Sequence, residues 1–280
     1  MPSPQIMTAL EESKERWDVA AQTYEKAFIE TLTGKLWRSA VWAELDQAFV
    51  PGSTVLEMNC GTGVDAIHLA KRGIAVLACD ISSAMIERAR SNAAAAGLDG
   101  LIEFRVLPTE NLEQIPRDRR FAGAFSNFSG LNCVGDLVVV SASLAARLDP
   151  GSIVLLCMLG PSSKWERLWR IVQRRLDHIE RRRPESNTAQ SIQVTRYTYK
   201  EMAAAFRPYF DLRSRKGVGI FVPPAFVERT AARFPNILRM LGSLDRAVAK
   251  MPFFRDYGGC VLLEFERTVK AWHPNTGDGQ

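Results

Sequence analysis

Long apolar runs are missing from this chain: no stretch of its 280 residues reaches the ~18 apolar residues that a membrane-spanning helix needs. Patterned cysteine is missing too. The five cysteines, Cys60, Cys79, Cys133, Cys157 and Cys260, show no CxxC spacing. That excludes the common zinc and disulfide frameworks and leaves buried free thiols in a reducing compartment as the expectation. Histidine is scarce, with three residues far apart in sequence, so no metal site is expected. Met1-Pro2-Ser3-Pro4 has no charged segment leading into an apolar one, the pattern of an export signal. The expected compartment is therefore the cytoplasm. Internal repeats and low-complexity linkers are absent as well.

What is present is an ordinary globular composition, 46% apolar and 9% aromatic, in a chain long enough for one α/β domain with additional elements. The informative stretch is Thr54 to Met85, TVLEMNCGTGVDAIHLAKRGIAVLACDISSAM. Thr54-Val55-Leu56 opens it as a buried parallel strand. The loop Cys60-Gly61-Thr62-Gly63 follows, then Ala66, Ile67, Leu69 and Ala70 at helical spacing until Gly73 caps the helix. A second apolar run, Ile74 to Cys79, ends on Asp80. Glycines at 61 and 63 let backbone approach a ligand and accept positive φ, and the loop feeds a helix N-terminus with free N–H groups. An acid closing the second strand stands where two ribose hydroxyls can donate to it. The unit is built to hold a nucleoside.

Two ligand classes use such a unit. Gly61-Thr62-Gly63-Val64-Asp65-Ala66 satisfies G-x-G-x-x-A, the dinucleotide fingerprint. Glu57 points the other way, since a carboxylate repels a pyrophosphate and welcomes an α-amino group. Glu57-Met58-Asn59-Cys60-Gly61-Thr62-Gly63 and Asp80-Ile81-Ser82-Ser83-Ala84-Met85, in this order and at this distance, resemble the class I S-adenosylmethionine-dependent methyltransferases. The resemblance implies a Rossmann-like sheet of seven mostly parallel strands with an antiparallel last strand and helices on both faces. It implies S-adenosylmethionine as cofactor and S-adenosylhomocysteine as product. It places Glu57, Asn59, Gly61, Gly63, Asp80, Ile81 and Met85 around the cofactor. The loop after the third strand reads Pro108-Thr109-Glu110-Asn111-Leu112, with proline where the family often has an adenine-binding Asp. Adenine contact then falls to Thr109, Glu110 or backbone.

Around this unit the chain divides at residues 50, 160, 198, 222, 257 and 268. A helical N-terminal lid (1–50) contains Trp17-Asp18-Val19-Ala20-Ala21-Gln22-Thr23-Tyr24, similar to a segment that folds over the cofactor in small-molecule methyltransferases. By that likeness Tyr24 faces the methyl-transfer point; the same residues also read as the buried stripe of an amphipathic helix. The core (51–160) continues through a helix to Gly97, a strand at 101–106, a strand at 121–128, a helix at 137–148, a turn at Pro150-Gly151 and a strand at 152–159. Ser126, Asn127 and Asn132 lie at the carboxyl end of the fourth strand, where ligands bind in open α/β sheets. Asn132 joins Tyr24 as a candidate for orienting the acceptor, with a turn or cap role as its alternative.

Two insertions interrupt the rest. The first (161–198) holds a helix over 164–183 with eight basic and three acidic residues, an excess equal to the whole chain's net charge of +5, followed by a strand at 191–199. Such a helix fits an anionic membrane surface, an acidic acceptor or a plain solvated face. Core strands are expected at 210–222 and 259–267, with a second aromatic insertion (223–257) between them and a polar tail after 268. The insertions read as a cap over an acceptor pocket or as a homodimer interface. Trp165, Trp169, Phe221, Phe226, Phe234, Phe253 and Phe254 make that cap suit a lipophilic small molecule, methylated on oxygen. No RNA-binding domain is visible and no nucleic-acid partner is expected. A non-catalytic cofactor-binding regulator and an NAD(P)-dependent oxidoreductase are the alternatives.

Overall fold

Side chains alternate across a strand, so each buried strand must feed two cores. The computed structural model, which describes residues 4–160, 194–225 and 233–268, has this arrangement. In β1 (Thr54–Met58) and β2 (Ala75–Asp80), Val55 and Val76 face one core while Leu56 and Leu77 face the other. The first core lies beneath α2 (Leu32–Ala48), α3 (Val64–Ala70) and α4 (Ser83–Ala95), through Trp37, Val41, Leu45, Leu69 and Ile86. The second lies beneath α5 (Leu137–Ala145) and α6 (Tyr199–Phe206), through Val140, Leu144, Met202 and Phe206.

The sheet has seven strands in the order β3 (Ile102–Val106), β2, β1, β4 (Phe121–Ser126), β5 (Leu148–Leu159), β7 (Cys260–Arg267), β6 (Phe210–Val218). β7 is antiparallel to both of its neighbours, and the ladders joining β1 to β5 are parallel. This is the Rossmann-like class expected from the sequence. The order reverses between β1 and β4, which opens a crevice at their carboxyl ends.

Several elements differ from expectation, each for a visible reason. The helical stretch before β1 is broken into α1 (Pro4–Ala20), a π-turn at Glu25–Ile29 and α2. Thr31 caps α2 by accepting from Gly34 N–H at 2.9 Å. The fifth helix stops at Ala145, and β5 begins before Pro150-Gly151, which are exposed beside an irregularity opposite Phe121 and Gly123. No strand forms over 194–198; Thr195 N–H instead bonds Asn132 O at 2.7 Å, and Thr198 caps α6 in a capping box with Glu201. β6 ends at Val218 because the next three N–H groups after Gly219, those of Ile220, Phe221 and Val222, donate to the Asp245 carboxylate.

Asp245 belongs to α7 (Pro235–Val248), the described helix of the second insertion. α7 packs on α2, with Gly242 against Leu36, and not over the β1–β4 crevice. The basic stretch 164–183, with Trp165 and Trp169, and Phe226 lie outside the described residues. Among the described residues no helix is long and apolar enough to cross a membrane.

Gly63 shows how closely the first core is packed. It takes φ 77° as the residue before α3, and a Cβ there would lie 2.9 Å from Ala89 Cβ and 3.1 Å from the Phe104 ring. Gly63→Ala is expected to cost roughly 2–4 kcal/mol of stability, from left-handed strain plus overpacking. Urea unfolding reads this as a lower midpoint at unchanged slope; an unchanged midpoint would show that the loop relaxes freely.

Candidate cofactor site

Two chain reversals at the carboxyl edge of the sheet build the site. β1 runs into Asn59, which holds φ 56°, and then into Gly61 at φ 53°. β4 runs into Phe128 and Ser129, at φ 48° and 76°. Non-glycine residues held in this region mark positions that the surrounding packing enforces. Gly130 answers Asn59: a Cβ on Gly130 would lie 2.3 Å from Asn59 Cβ. Ser126 donates to Asn59 Oδ1 at 3.1 Å and so fixes its side chain from behind.

The reversals surround a cleft that opens to solvent. Asn59, Gly61, Asp80, Ile81, Met85, Thr109, Glu110 and Asn127 line it, and Tyr24 closes it from the lid. Phe128, Cys133, Ser13 and Trp17 line it as well. Asp80, 6% exposed, accepts from Gly61 N–H at 2.8 Å and Ser82 N–H at 2.9 Å. Burial pushes its carboxyl up to about 6, against those backbone donors. Glu110 is likewise raised by burial.

The lid is tied to this edge by its own carboxylates. Asp18 at the end of α1 accepts from Ser82 Oγ–H at 2.5 Å and from Ala84 N–H at 3.0 Å, while Ser82 Oγ caps α4 by accepting from Met85 N–H at 3.0 Å. Glu25 accepts from Arg88 at 2.7 Å and from Asn92 at 2.8 Å.

A second, buried group of charges lies under the glycine loop. Arg38 of α2 meets Asp65, in the first turn of α3, at 2.5 Å. Asp65 also accepts from Trp42 Nε1–H at 2.7 Å and Asn127 Nδ2–H at 3.0 Å. Burial opposes its charge, yet the Arg38 guanidinium and these donors hold the carboxyl below its usual range. Arg38 stacks 4.6 Å above the Phe128 ring and lies close enough to the Tyr24 hydroxyl to act on its charge. Burial raises the Tyr24 hydroxyl, with Arg38 opposing, so it is protonated at neutral pH. Three atoms of the group have no partner: Arg38 Nε, Glu57 Oε2 and Asn127 Oδ1. Buried polar atoms are normally paired. Arg38 and Asn127 line a small hollow beside the loop with Tyr24, Asn59 and Gly61, and a spare donor and a spare acceptor there suit an amino acid's carboxylate and ammonium. The site therefore fits a ligand with a nucleoside at Asp80 and an amino-acid end at Arg38.

Some expected residues take other places. Glu57, 1% exposed, lies behind the loop, where burial raises it well above the carboxylate range. Gly63 and Ser126 shape the wall without lining it. Asn132 corrects the expectation of an acceptor-orienting role. It is fully buried, accepts from Leu159 N–H at 2.9 Å and donates to the carbonyls of Leu159 and Thr195, so it joins β5 to residue 195. His68 stacks on Trp42 at 4.0 Å and pairs with Asp46, away from the cleft. Phe221, Phe253 and Phe254 form a cluster of their own and line no part of the cleft. Sequence reasoning missed Arg38 and Asp65. The signal was there: Gly34, Arg38, Val41 and Leu45 share one helical stripe, and a charge on an apolar stripe needs a buried partner.

Residues 55–151 match the family described as "Methyltransferase domain". A 92-residue stretch is 32% identical to the tRNA 5-carboxymethoxyuridine methyltransferase of Escherichia coli, over 31% of this chain and 35% of that protein. A 124-residue stretch is 32% identical to the demethylmenaquinone methyltransferase of Corynebacterium kroppenstedtii, over 44% of this chain and 48% of that one. The chain thus spans less than half the length of these curated relatives. In fold it is similar to a chain of the solved complex between the Haloferax volcanii Trm112 methyltransferase activator and a methyltransferase, with TM-score 0.57 and 18% identity over 90% of this chain and 97% of that one. The family match covers the strands, glycine loop and Asp80 edge that form the cleft, so residues 55–151 make up a methyltransferase domain.

Proposed function

We propose that this protein transfers a methyl group from S-adenosylmethionine to the oxygen of a small lipophilic acceptor, releasing S-adenosylhomocysteine. The unpaired Arg38 Nε and Asn127 Oδ1 beside the loop carry the cofactor half of this reading. A pyrophosphate there would lie beside the ionised Asp65 carboxylate, which weighs against a redox dinucleotide. When bound, S-adenosylmethionine supplies a methyl group already activated on a sulfonium.

The chain's own residues then bind and orient. Asp80 accepts from ribose hydroxyls, Ile81 and Met85 flank the base, and Thr109 and Glu110 border its polar edge. Arg38 and Asn127 hold the amino-acid end, and the protonated Tyr24 hydroxyl donates toward the transfer point. Catalysis rests mainly on alignment inside a closed site. For the acceptor, support comes from the aromatic residues of the cleft: Trp17, Tyr24 and Phe128 line it, Trp17 meets Tyr24 at 6.4 Å, and Phe28 packs behind Phe128 at 5.1 Å, an apolar border suited to a lipophilic molecule.

Four measurements test this. Asp80→Asn is expected to weaken S-adenosylhomocysteine binding roughly ten- to hundredfold, the worth of one charge-assisted hydrogen bond. In the native protein the hydroxyls need the ionised carboxylate. Affinity is therefore full above pH 6 and falls as pH drops through about 6, with proton release on binding near that pH. A flat profile from pH 5 to 8 would remove Asp80 from the ligand.

Arg38→Met is expected to weaken S-adenosylhomocysteine by a similar factor while leaving adenosine, which lacks the amino-acid end, unaffected. Equal losses for both ligands would show that Arg38 only supports the fold. For the acceptor, radiolabelled S-adenosylmethionine is incubated with protein and total cell extract, and product is partitioned between organic and aqueous phases. Label in base-labile or ether-linked organic-phase product is expected. Label in RNA would transfer the reading to the chemistry that the Escherichia coli relative's name describes.

A further inference from the structure

The second insertion carries the most apolar part of the described surface. Half of the exposed large apolar side chains among the described residues lie in the single stretch 234–257. Phe234, Ile237, Met240 and Leu244 recur at three- and four-residue steps, so they share a sector of roughly 120° along α7. Met251 follows in the turn beyond, and each of the five is 44–63% exposed. The opposite requirement, packing on α2, is met by another face of the helix, that of Leu238, Gly242 and Asp245. Single apolar residues on a surface are ordinary, whereas a continuous stripe marks a contact.

The charges beside the stripe select its occupant. Arg239, Arg246 and Lys250, all exposed, follow one another at helical spacing along the other side of the solvent-facing surface. None of the three forms an ion pair among the described residues. Arg239 donates to Asn236 Oδ1 at 2.9 Å and Arg246 to Ser243 Oγ at 3.1 Å. The two acids of the stretch are engaged elsewhere. Asp245, 6% exposed, accepts from the N–H groups of Ile220, Phe221 and Val222, and Asp256 pairs with Arg215 at 2.9 Å. A second copy of this face would bring the same cations and no free acid to meet them. Anionic headgroups over hydrocarbon offer both counter-charge and apolar cover. We infer that this face of α7 docks on an anionic lipid bilayer, with Ile237, Met240 and Leu244 at the acyl boundary and Arg239, Arg246 and Lys250 among the headgroups.

This docking is independent of the methyl-transfer reading and uses no residue that lines the cofactor cleft. It is also separate from the basic stretch 164–183, so substitutions on α7 alone decide it.

Co-flotation of the whole protein with phosphatidylcholine vesicles, with and without phosphatidylglycerol as roughly one-third of the lipid, tests the inference. Binding to the anionic vesicles is expected to be at least about tenfold stronger and to weaken in about 0.5 M salt. Met240→Asp combined with Leu244→Asp is expected to lower it about tenfold or more at an unchanged thermal midpoint, since both positions are exposed. Arg239→Glu combined with Lys250→Glu is expected to bring anionic vesicles down to the level of neutral ones. Absence of binding, or equal binding to both vesicles by the native protein, would overturn the inference. Binding unchanged in Met240→Asp/Leu244→Asp would overturn it by assigning the contact to another surface. A dimer in ultracentrifugation that the same two substitutions dissolve, with no vesicle binding, would make a second copy the occupant instead.

Discussion

Everything at the cofactor edge depends on the buried ion pair of Arg38 and Asp65. Taking two charges out of water costs several kcal/mol per ion, offset only where geometry is close and remaining hydrogen bonds are met. Here the pair meets at 2.5 Å, and Trp42 and Asn127 complete the Asp65 shell. Three separate segments are thereby fixed together: α2 through Arg38 and Trp42, α3 through Asp65, and the turn after β4 through Asn127. The glycine loop is positioned by this network as much as by its own glycines.

Left-handed backbone at Asn59, Phe128 and Ser129 has the same logic. Such conformations are costly and persist only where surrounding contacts over-determine them. Asn59 is held by Ser126 and by the close approach of Gly130, and Phe128 is held between Phe28 and Arg38. Both strained turns face the cleft. The fold concentrates its strain where shape matters for a ligand and leaves the two cores regular.

Much of this was legible in the sequence because it depends on local chemistry. The β1–loop–α3–β2–Asp80 unit follows from apolar runs, two glycines and one acid, and its strands and helix stand within a residue or so of expectation. What failed depends on distant partners. Asn132 reads as an exposed turn residue until Leu159 and Thr195 close around it. The end of β6 cannot be seen from residues 219–222, because Asp245, more than twenty positions away, takes their N–H groups. Arg38 needed its buried counter-ion to be understood. The described part of the second insertion packs behind α2, since a helix is placed by what its small face fits, here Gly242 against Leu36.

The Asp18 contacts also bear on timing. α1 supplies Ser13 and Trp17 to the cleft wall and is fastened at its end to the first turn of α4 by two hydrogen bonds from Ser82 and Ala84. That turn begins two residues after Asp80. On the proposed reading, a nucleoside held by Asp80 is enclosed by a latch whose catch lies beside its own recognition residue. The residence time of the spent ligand would then be set by the opening of α1 as well as by the grip of Asp80.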